Sequence, residues 1–147
     1  MDRDAILAAG IQAYQDGRYA ESEHLARMVL EEDAGSSRAL NLLGMARFQQ
    51  GFAEDGSQFV RRALACAPDY LPAYLNLAAI FDAQGQAGSA LECFDKALTF
   101  APSSPDVYLA RGTVLLKAAR LDEAIANFRR CAELDEQEPC AQIGLGD

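Results

Sequence analysis

The sequence predicts an all-α fold in which four consecutive helix pairs form a solenoid. Three observations lead to this prediction: small residues recur every 34 positions, large apolar residues recur at the same interval, and glycine or proline stands where helices should end. Repeated small residues let neighbouring helices cross closely, while large side chains fill the remaining space. The small columns are Gly17, Gly51, Gly85 and Ala119; Gly10, Gly44, Ala78, Gly112 and Gly146; Ser22, Gly56, Ala90 and Ala124; and Val29, Ala63, Ala97 and Cys131.

The first two repeat units, residues 3–36 and 37–70, are each expected to hold two helices joined by a turn. Gly17 and Gly51 mark the turns, because glycine readily adopts the left-handed conformation that often ends a helix. Ile6 and Leu40 stand in the column of large apolar residues, and Pro68 stops the second helix of the second unit. Four helices are therefore predicted before residue 71.

The third and fourth units, residues 71–104 and 105–138, bring the predicted number of helices to eight. In the third unit the first helix is expected over 72–84 with Gly85 as its exit, and the second over 88–101 with Pro102 after it. In the fourth unit Ser104 precedes Pro105 as a helix cap, and acidic side chains at Asp122 and Glu123 suit the positive end of the next helix.

Residues 139–147 restart the repeat, with Leu145 and Gly146 standing where Leu43 and Gly44 stand in the second unit. Two interpretations are open: a short ninth helix caps the stack, or a longer array continues. We treat residues 1–147 as a single domain.

This pattern resembles the tetratricopeptide repeat over nearly the whole chain. The resemblance implies a right-handed superhelical solenoid of antiparallel helix pairs, whose first helices line a concave groove that binds another protein. The residues that carry it are Gly10, Gly17 and Tyr19 in the first unit; Leu43, Gly44, Gly51, Ala63 and Pro68 in the second; Tyr74, Leu77, Phe81, Gly85, Ala90, Phe94, Ala97 and Pro102 in the third; and Tyr108, Gly112, Ala124 and Phe128 in the fourth.

Composition argues against nucleic acid, membranes and catalysis. The 22 acidic and 13 basic residues give a net charge of −9, which repels phosphates unless the basic residues cluster. No apolar stretch approaches the length of a membrane span, and the first residues lack a secretory signal pattern, so we expect a cytoplasmic protein. His24 is the only histidine, and Cys66, Cys93, Cys131 and Cys140 are too widely spaced for a metal motif. We therefore expect no enzyme activity, no metal and no cofactor.

The predicted groove is apolar with polar rims, which suits an amphipathic helix or an extended peptide of a partner protein. An alternative is that several of its residues pack against neighbouring helices instead. The predicted partner-binding residues are Leu7, Ile11, Tyr14, Asn41, Met45, Phe48, Leu75, Asn76, Ala79, Leu109, Thr113 and Leu116, with Gln15, Arg38, Gln49, Asp82, Asp106 and Lys117 beside them.

Arg47 and Arg111 stand in columns that are apolar elsewhere, so they are candidate polar anchors. In one interpretation their guanidinium groups project into the groove and bind a partner's carboxylate or carbonyl groups. In the other, their stems pack and their charged ends reach water or a carboxylate such as Asp82 or Asp106.

The sequence does not identify the partner protein. Heat-shock co-chaperones of this family grip the carboxylate of an acidic peptide with lysine, arginine and asparagine, but only asparagines, at Asn41 and Asn76, match here. A partner with basic flanks therefore fits the net charge of −9 better. Three alternatives are a recognition region of a larger enzyme such as a glycosyltransferase, a chaperone similar to those of bacterial type III secretion, and self-association.

Overall fold

The computed structural model describes residues 2–134, all of whose regular elements are α-helices. The predicted all-α class and the eight helices are confirmed. The predicted partial repeat or capping helix at 139–147 lies outside the described residues. The helices are α1 (Arg3–Gln15), α2 (Tyr19–Glu32), α3 (Ser37–Gln49), α4 (Ala53–Cys66), α5 (Leu71–Ala83), α6 (Ala87–Phe100), α7 (Pro105–Lys117) and α8 (Leu121–Leu134).

The helix ends lie within one residue of those predicted for the third unit. Helix α5 begins at Leu71, one residue before Pro72, because proline is tolerated in the first turn, where its missing N–H would have no helical partner. Helix α8 begins at Leu121 with two acidic residues in its first turn, as predicted. Ser104 does occupy the cap position of α7, but its side chain makes no capping hydrogen bond.

The turn inside each helix pair uses one backbone conformation. Gly17, Gly51, Gly85 and Ala119 have φ values of 80°, 98°, 76° and 62°. In each turn the next residue donates a backbone hydrogen bond to the carbonyl five positions earlier, as Phe52 does to Arg47 at 3.0 Å. This bond closes the left-handed end of the first helix, and it explains why the column tolerates only small residues.

The small columns also mark close helix crossings. A Cβ atom at Gly44 would lie 2.7 Å from the carbonyl oxygen of Gly56, so α3 and α4 approach almost backbone to backbone. At Gly112 the neighbour is the ring of Phe128, which a Cβ would meet at 2.6 Å. The predicted pairing of a small with a large residue is therefore observed at Gly112 and Phe128, whereas Gly44 and Gly56 are both small.

The chain divides into two compact units, Met1–Ile80 and Phe81–Asp147. In unit 1, α1 packs on α2, and α3 packs between α2 and α4. In unit 2, α7 contacts both α6 and α8. A single domain over residues 1–147 stays a prediction. The core of unit 1 includes a cluster of Ile6, Leu7, Ala26, Val29, Ala39, Leu42 and Leu43.

Among residues 2–134, none of the helices combines the length and the apolar character that crossing a bilayer requires.

Candidate protein-binding surface

Five of the predicted groove residues line one pocket of unit 1, which has a volume of about 210 Å³. Its wall is formed by side chains of the first helices, α1, α3 and α5, together with Tyr70 just before α5. We call it the unit 1 pocket. The predicted site residues that it brings together are Ile11, Tyr14, Asn41, Met45 and Asn76, and its other lining residues are Arg38, Leu42 and Tyr70.

Two asparagines form a polar pair in the wall of the pocket. The Nδ2 group of Asn76 donates a hydrogen bond to Oδ1 of Asn41 at 3.0 Å. This bond uses one donor and one acceptor, so each amide retains a group that can bond to another partner. Asn41 is only 8% exposed, whereas Asn76 is half-buried. The pair can therefore present an amide donor and a carbonyl acceptor to the backbone of a peptide.

Polar contacts between successive first helices recur at the same pair of columns. The Nε2 group of Gln49 donates to the hydroxyl of Tyr14 at 3.0 Å, and the Nζ group of Lys117 donates to Oδ2 of Asp82 at 2.8 Å. Each contact joins residues 35 positions apart. Tyr14 and Asp82 share one repeat column, and Gln49 and Lys117 share the next. The first contact lies in unit 1 and the second in unit 2.

Four predicted groove residues of unit 1 lie outside the lining of the pocket. Leu7 is 4% exposed and belongs to the core cluster, and the backbone of Phe48 lies where α3 approaches Gly56. Leu75 is half-buried and Ala79 is exposed. The alternative interpretation, in which some groove residues pack against neighbouring helices, therefore describes Leu7. Met45 is only 8% exposed, but it lines the pocket.

The predicted site residues of unit 2 are more accessible. Leu109 is half-buried, and Leu116 is 51% exposed. Thr113 is exposed, and its hydroxyl donates to the carbonyl oxygen of Leu109 at 2.9 Å within the same helix. Their role in binding stays a prediction.

Arg47 is held by contacts with the second helices of unit 1. Its guanidinium group lies 2.9 Å from Oδ2 of Asp55 and 3.5 Å from Oε1 of Glu23, and it stacks 3.9 Å from the ring centroid of Phe52. Burial raises the pKa of Glu23, but hydrogen bonds from Gln50 and Arg27 and the nearby arginine charges outweigh burial and lower that pKa. The carboxylate therefore stays ionised beside Arg47.

Arg111 has a similar arrangement in unit 2. Its Nε lies 3.3 Å from Oδ1 of Asp95, and one terminal nitrogen donates to Oδ1 of Asn127 at 3.2 Å. Both arginines thus fit the second interpretation, in which the stem of the side chain packs and its charged end reaches a carboxylate. The carboxylates differ from those named, Asp82 and Asp106, and we leave Arg47 and Arg111 out of the binding surface proposed below.

Two lining residues of the pocket, Leu42 and Tyr70, were not recognised as groove residues from the sequence. Leu42 is one position beyond the predicted Asn41 on α3. Tyr70 ends the second unit, immediately before α5, and its large ring at a repeat boundary was the available signal.

Within residues 2–134 no cluster of histidine, cysteine and acidic side chains is suited to a metal ion.

Comparison with known proteins places this architecture in a family. Residues 7–71 and 75–139 match the tetratricopeptide repeat. Human DnaJ homolog subfamily C member 7 is 29% identical over 136 residues, which cover 82% of this chain and 28% of that protein. The UDP-N-acetylglucosamine–peptide N-acetylglucosaminyltransferase of Giardia intestinalis is 27% identical over 97 residues, 66% of this chain and 7% of that protein. The chain thus spans less than a third of the length of either relative.

Solved structures show the same fold. Pseudomonas aeruginosa PilF aligns with a TM-score of 0.85 at 21% identity, covering 97% of this chain and 65% of that one. A MamA protein aligns with a TM-score of 0.76 at 23% identity, covering 92% and 74%. Together with the repeat match over both units, these similarities show that the chain belongs to the tetratricopeptide repeat family.

Proposed function

We propose that this chain is a non-catalytic scaffold whose unit 1 pocket binds a segment of a partner protein, as a peptide or an amphipathic helix. Tetratricopeptide repeat proteins bind other proteins, and the pocket is the observation that supports a particular place for it here. It combines apolar side chains at Ile11 and Met45 with the amide groups of Asn41 and Asn76. Such a mixture holds an apolar side chain and orients a peptide backbone.

The expected affinity is moderate. Burying three or four large apolar side chains of a partner contributes about 1.5–3 kcal/mol each. Association and ordering cost on the order of 4–15 kcal/mol. At most about 8 kcal/mol remains, so we expect a dissociation constant that is micromolar or weaker.

The test compares two variants that add the same charge to different faces of unit 1. Ile11→Glu places a carboxylate in the pocket. Ala65→Glu places one at an exposed position of α4, outside the pocket. Each variant and the wild-type chain would be used to capture proteins from a lysate of the source cell, with quantitative mass spectrometry of what is retained. Circular dichroism would confirm equal helix content, and Asn76→Ala serves as a milder pocket variant.

We expect a partner that is lost with Ile11→Glu, weakened with Asn76→Ala and retained with Ala65→Glu. A partner retained equally by all three variants would rule out the unit 1 pocket as its binding site. Cell fractionation tests the accompanying proposal that the protein works in the cytoplasm.

A second candidate is a recognition region within a larger enzyme. It is supported by the match to the Giardia intestinalis transferase, of which the similar segment is 7%. Immunoblotting of the source cell with an antibody to this chain tests it. A product much longer than 147 residues would favour this candidate, and one of this length would exclude it.

A further inference from the structure

A second cavity of unit 1 lies between the second helices α2 and α4 and has a volume of about 350 Å³. We call it the α2–α4 cleft. Its lining residues are Leu30, Ala34, Leu43 and Phe59, which are apolar, and Arg27, Glu31 and Arg62, which are charged. None of these residues lines the unit 1 pocket, so the cleft is a separate surface.

Two arginines lie near the ring of Phe59. The guanidinium carbon of Arg27 is 5.7 Å from the centroid of the Phe59 ring, and that of Arg62 is 5.5 Å away. These contacts orient both cations beside an apolar surface. Arg27 also pairs with Glu23 at 3.0 Å. Within residues 2–134, Arg62 has the ring of Phe59 as its contact and no carboxylate within ion-pair distance.

The corresponding positions of unit 2, 68 residues later, are occupied differently. Arg27, Leu43 and Phe59 correspond to Asp95, Arg111 and Asn127. Those three side chains contact one another, because Arg111 forms an ion pair with Asp95 and donates a hydrogen bond to Asn127. Arg130, which corresponds to Arg62, pairs with Glu133 at 3.2 Å. The repeat therefore carries internal ion pairs at this place in unit 2, and an aromatic ring with an uncompensated cation in unit 1.

We infer that the α2–α4 cleft binds an acidic segment of a partner protein that carries a large apolar side chain. The apolar side chain contacts Phe59 and Leu30, and a neighbouring carboxylate pairs with Arg62. Guanidinium groups suit this role because their N–H groups bond to carboxylates while their faces stay against an aromatic ring. This partner differs from the one expected from the net charge of the whole chain, −9, which favours basic segments.

Glu31 provides an internal test of the charge argument. It lines the same cleft and is exposed, so its carboxylate opposes an acidic ligand. Removing the charge of Glu31 should strengthen binding, whereas removing that of Arg62 should weaken it. A purely apolar cleft would not respond in opposite directions.

The experiment uses fluorescence anisotropy with a labelled twelve-residue peptide in which a Phe-Leu pair is flanked by glutamates. A matched peptide with lysine in place of every glutamate is the ligand control. Arg62→Gln is the test variant, and Arg130→Gln is the matched protein control because it makes the same change in the same repeat column. Arg38→Gln reports on binding in the unit 1 pocket, which Arg38 lines.

We expect the wild-type chain to bind the glutamate peptide in preference to the lysine peptide. Arg62→Gln should weaken binding about tenfold, the size of one charge-assisted contact, and Glu31→Gln should strengthen it. Arg130→Gln and Arg38→Gln should bind as the wild type does. The inference is overturned if the lysine peptide binds as well, if Arg62→Gln and Arg130→Gln have equal effects, or if only Arg38→Gln reduces binding.

Discussion

Among residues 2–134, Ala119 is the one non-glycine residue with a positive φ. It has a φ of 62°, in the left-handed region, where Gly17, Gly51 and Gly85 stand in the other three turns. A Cβ atom in this conformation costs about 1–2 kcal/mol, which glycine avoids. The fourth turn therefore keeps the shared geometry against the preference of its own residue.

Ala119→Gly should make the protein more stable by about 1 kcal/mol, because relief of the left-handed strain outweighs the greater flexibility of glycine in the unfolded chain. Urea unfolding followed by circular dichroism measures the change. The control is Ala118→Gly, at a φ of −81°, which should lower the stability. Equal effects of the two substitutions would show that the turn is not strained.

The two arginines illustrate what sequence can say about single residues. The sequence shows that both arginines stand in repeat columns that are otherwise apolar. It also predicts a carboxylate near each guanidinium group, because an unpaired buried charge is costly. The sequence does not predict which carboxylate pairs with each arginine. Glu23 and Arg47 lie 24 positions apart, and Asp95 and Arg111 lie 16 positions apart, in each case on different helices. Only the crossing of those helices decides which charges meet.

At the scale of elements, α3 explains why the groove could be predicted only in part. Its residues Ala39 to Ala46 are eight consecutive buried positions. A helix buried on one face shows apolar residues with a period near 3.6, but α3 packs between α2 and α4 and also contacts α1. Because apolar residues cover most of its circumference, sequence periodicity cannot distinguish Leu40 in the core from Met45 in the wall of the unit 1 pocket.

Capping of α3 gives a prediction at this scale. The side chain of Ser36 accepts a hydrogen bond from the backbone N–H of Ala39 at 3.3 Å, whereas Ser104 in the same position before α7 makes no such bond. Ser36→Ala should therefore destabilise the protein by about 1 kcal/mol. Ser104→Ala should cost clearly less. Thermal unfolding of both variants measures the difference, and a Ser104→Ala effect as large as that of Ser36→Ala would contradict it.

At the scale of the whole molecule, most of the fold could be predicted from the repeat period. A spacing of 34 residues predicted eight helices, their turns and the close crossings, because the same local interactions recur in every repeat. The period carries no information about ligands, since partner specificity depends on residues that differ between repeats. For this reason the sequence does not predict the unit 1 pocket or the α2–α4 cleft, each of which is lined by side chains from several helices.

Stability in a repeat array should be local. Leu43 in unit 1 and Leu115 in unit 2 are 1% and 0% exposed, so truncation of either to alanine should cost about 2–5 kcal/mol. Because each repeat contacts mainly its neighbours, we expect Leu43→Ala to accelerate amide hydrogen exchange chiefly in residues 2–80, and Leu115→Ala chiefly in 81–134. Mass spectrometry of peptic fragments resolves the two. Uniform acceleration along the chain in both variants would show a single cooperative unit.

The contacts of Tyr14 with Gln49 and of Asp82 with Lys117 constrain how this array can evolve. Each contact joins one copy of the duplicated segment to the copy after it, so replacing either residue removes a contact with the neighbouring copy. One contact is neutral and the other ionic, and exchange of a single member would leave an unmatched group. Substitutions in these two columns should therefore be inherited as pairs across repeats, and shuffling of single repeats would separate the pairs.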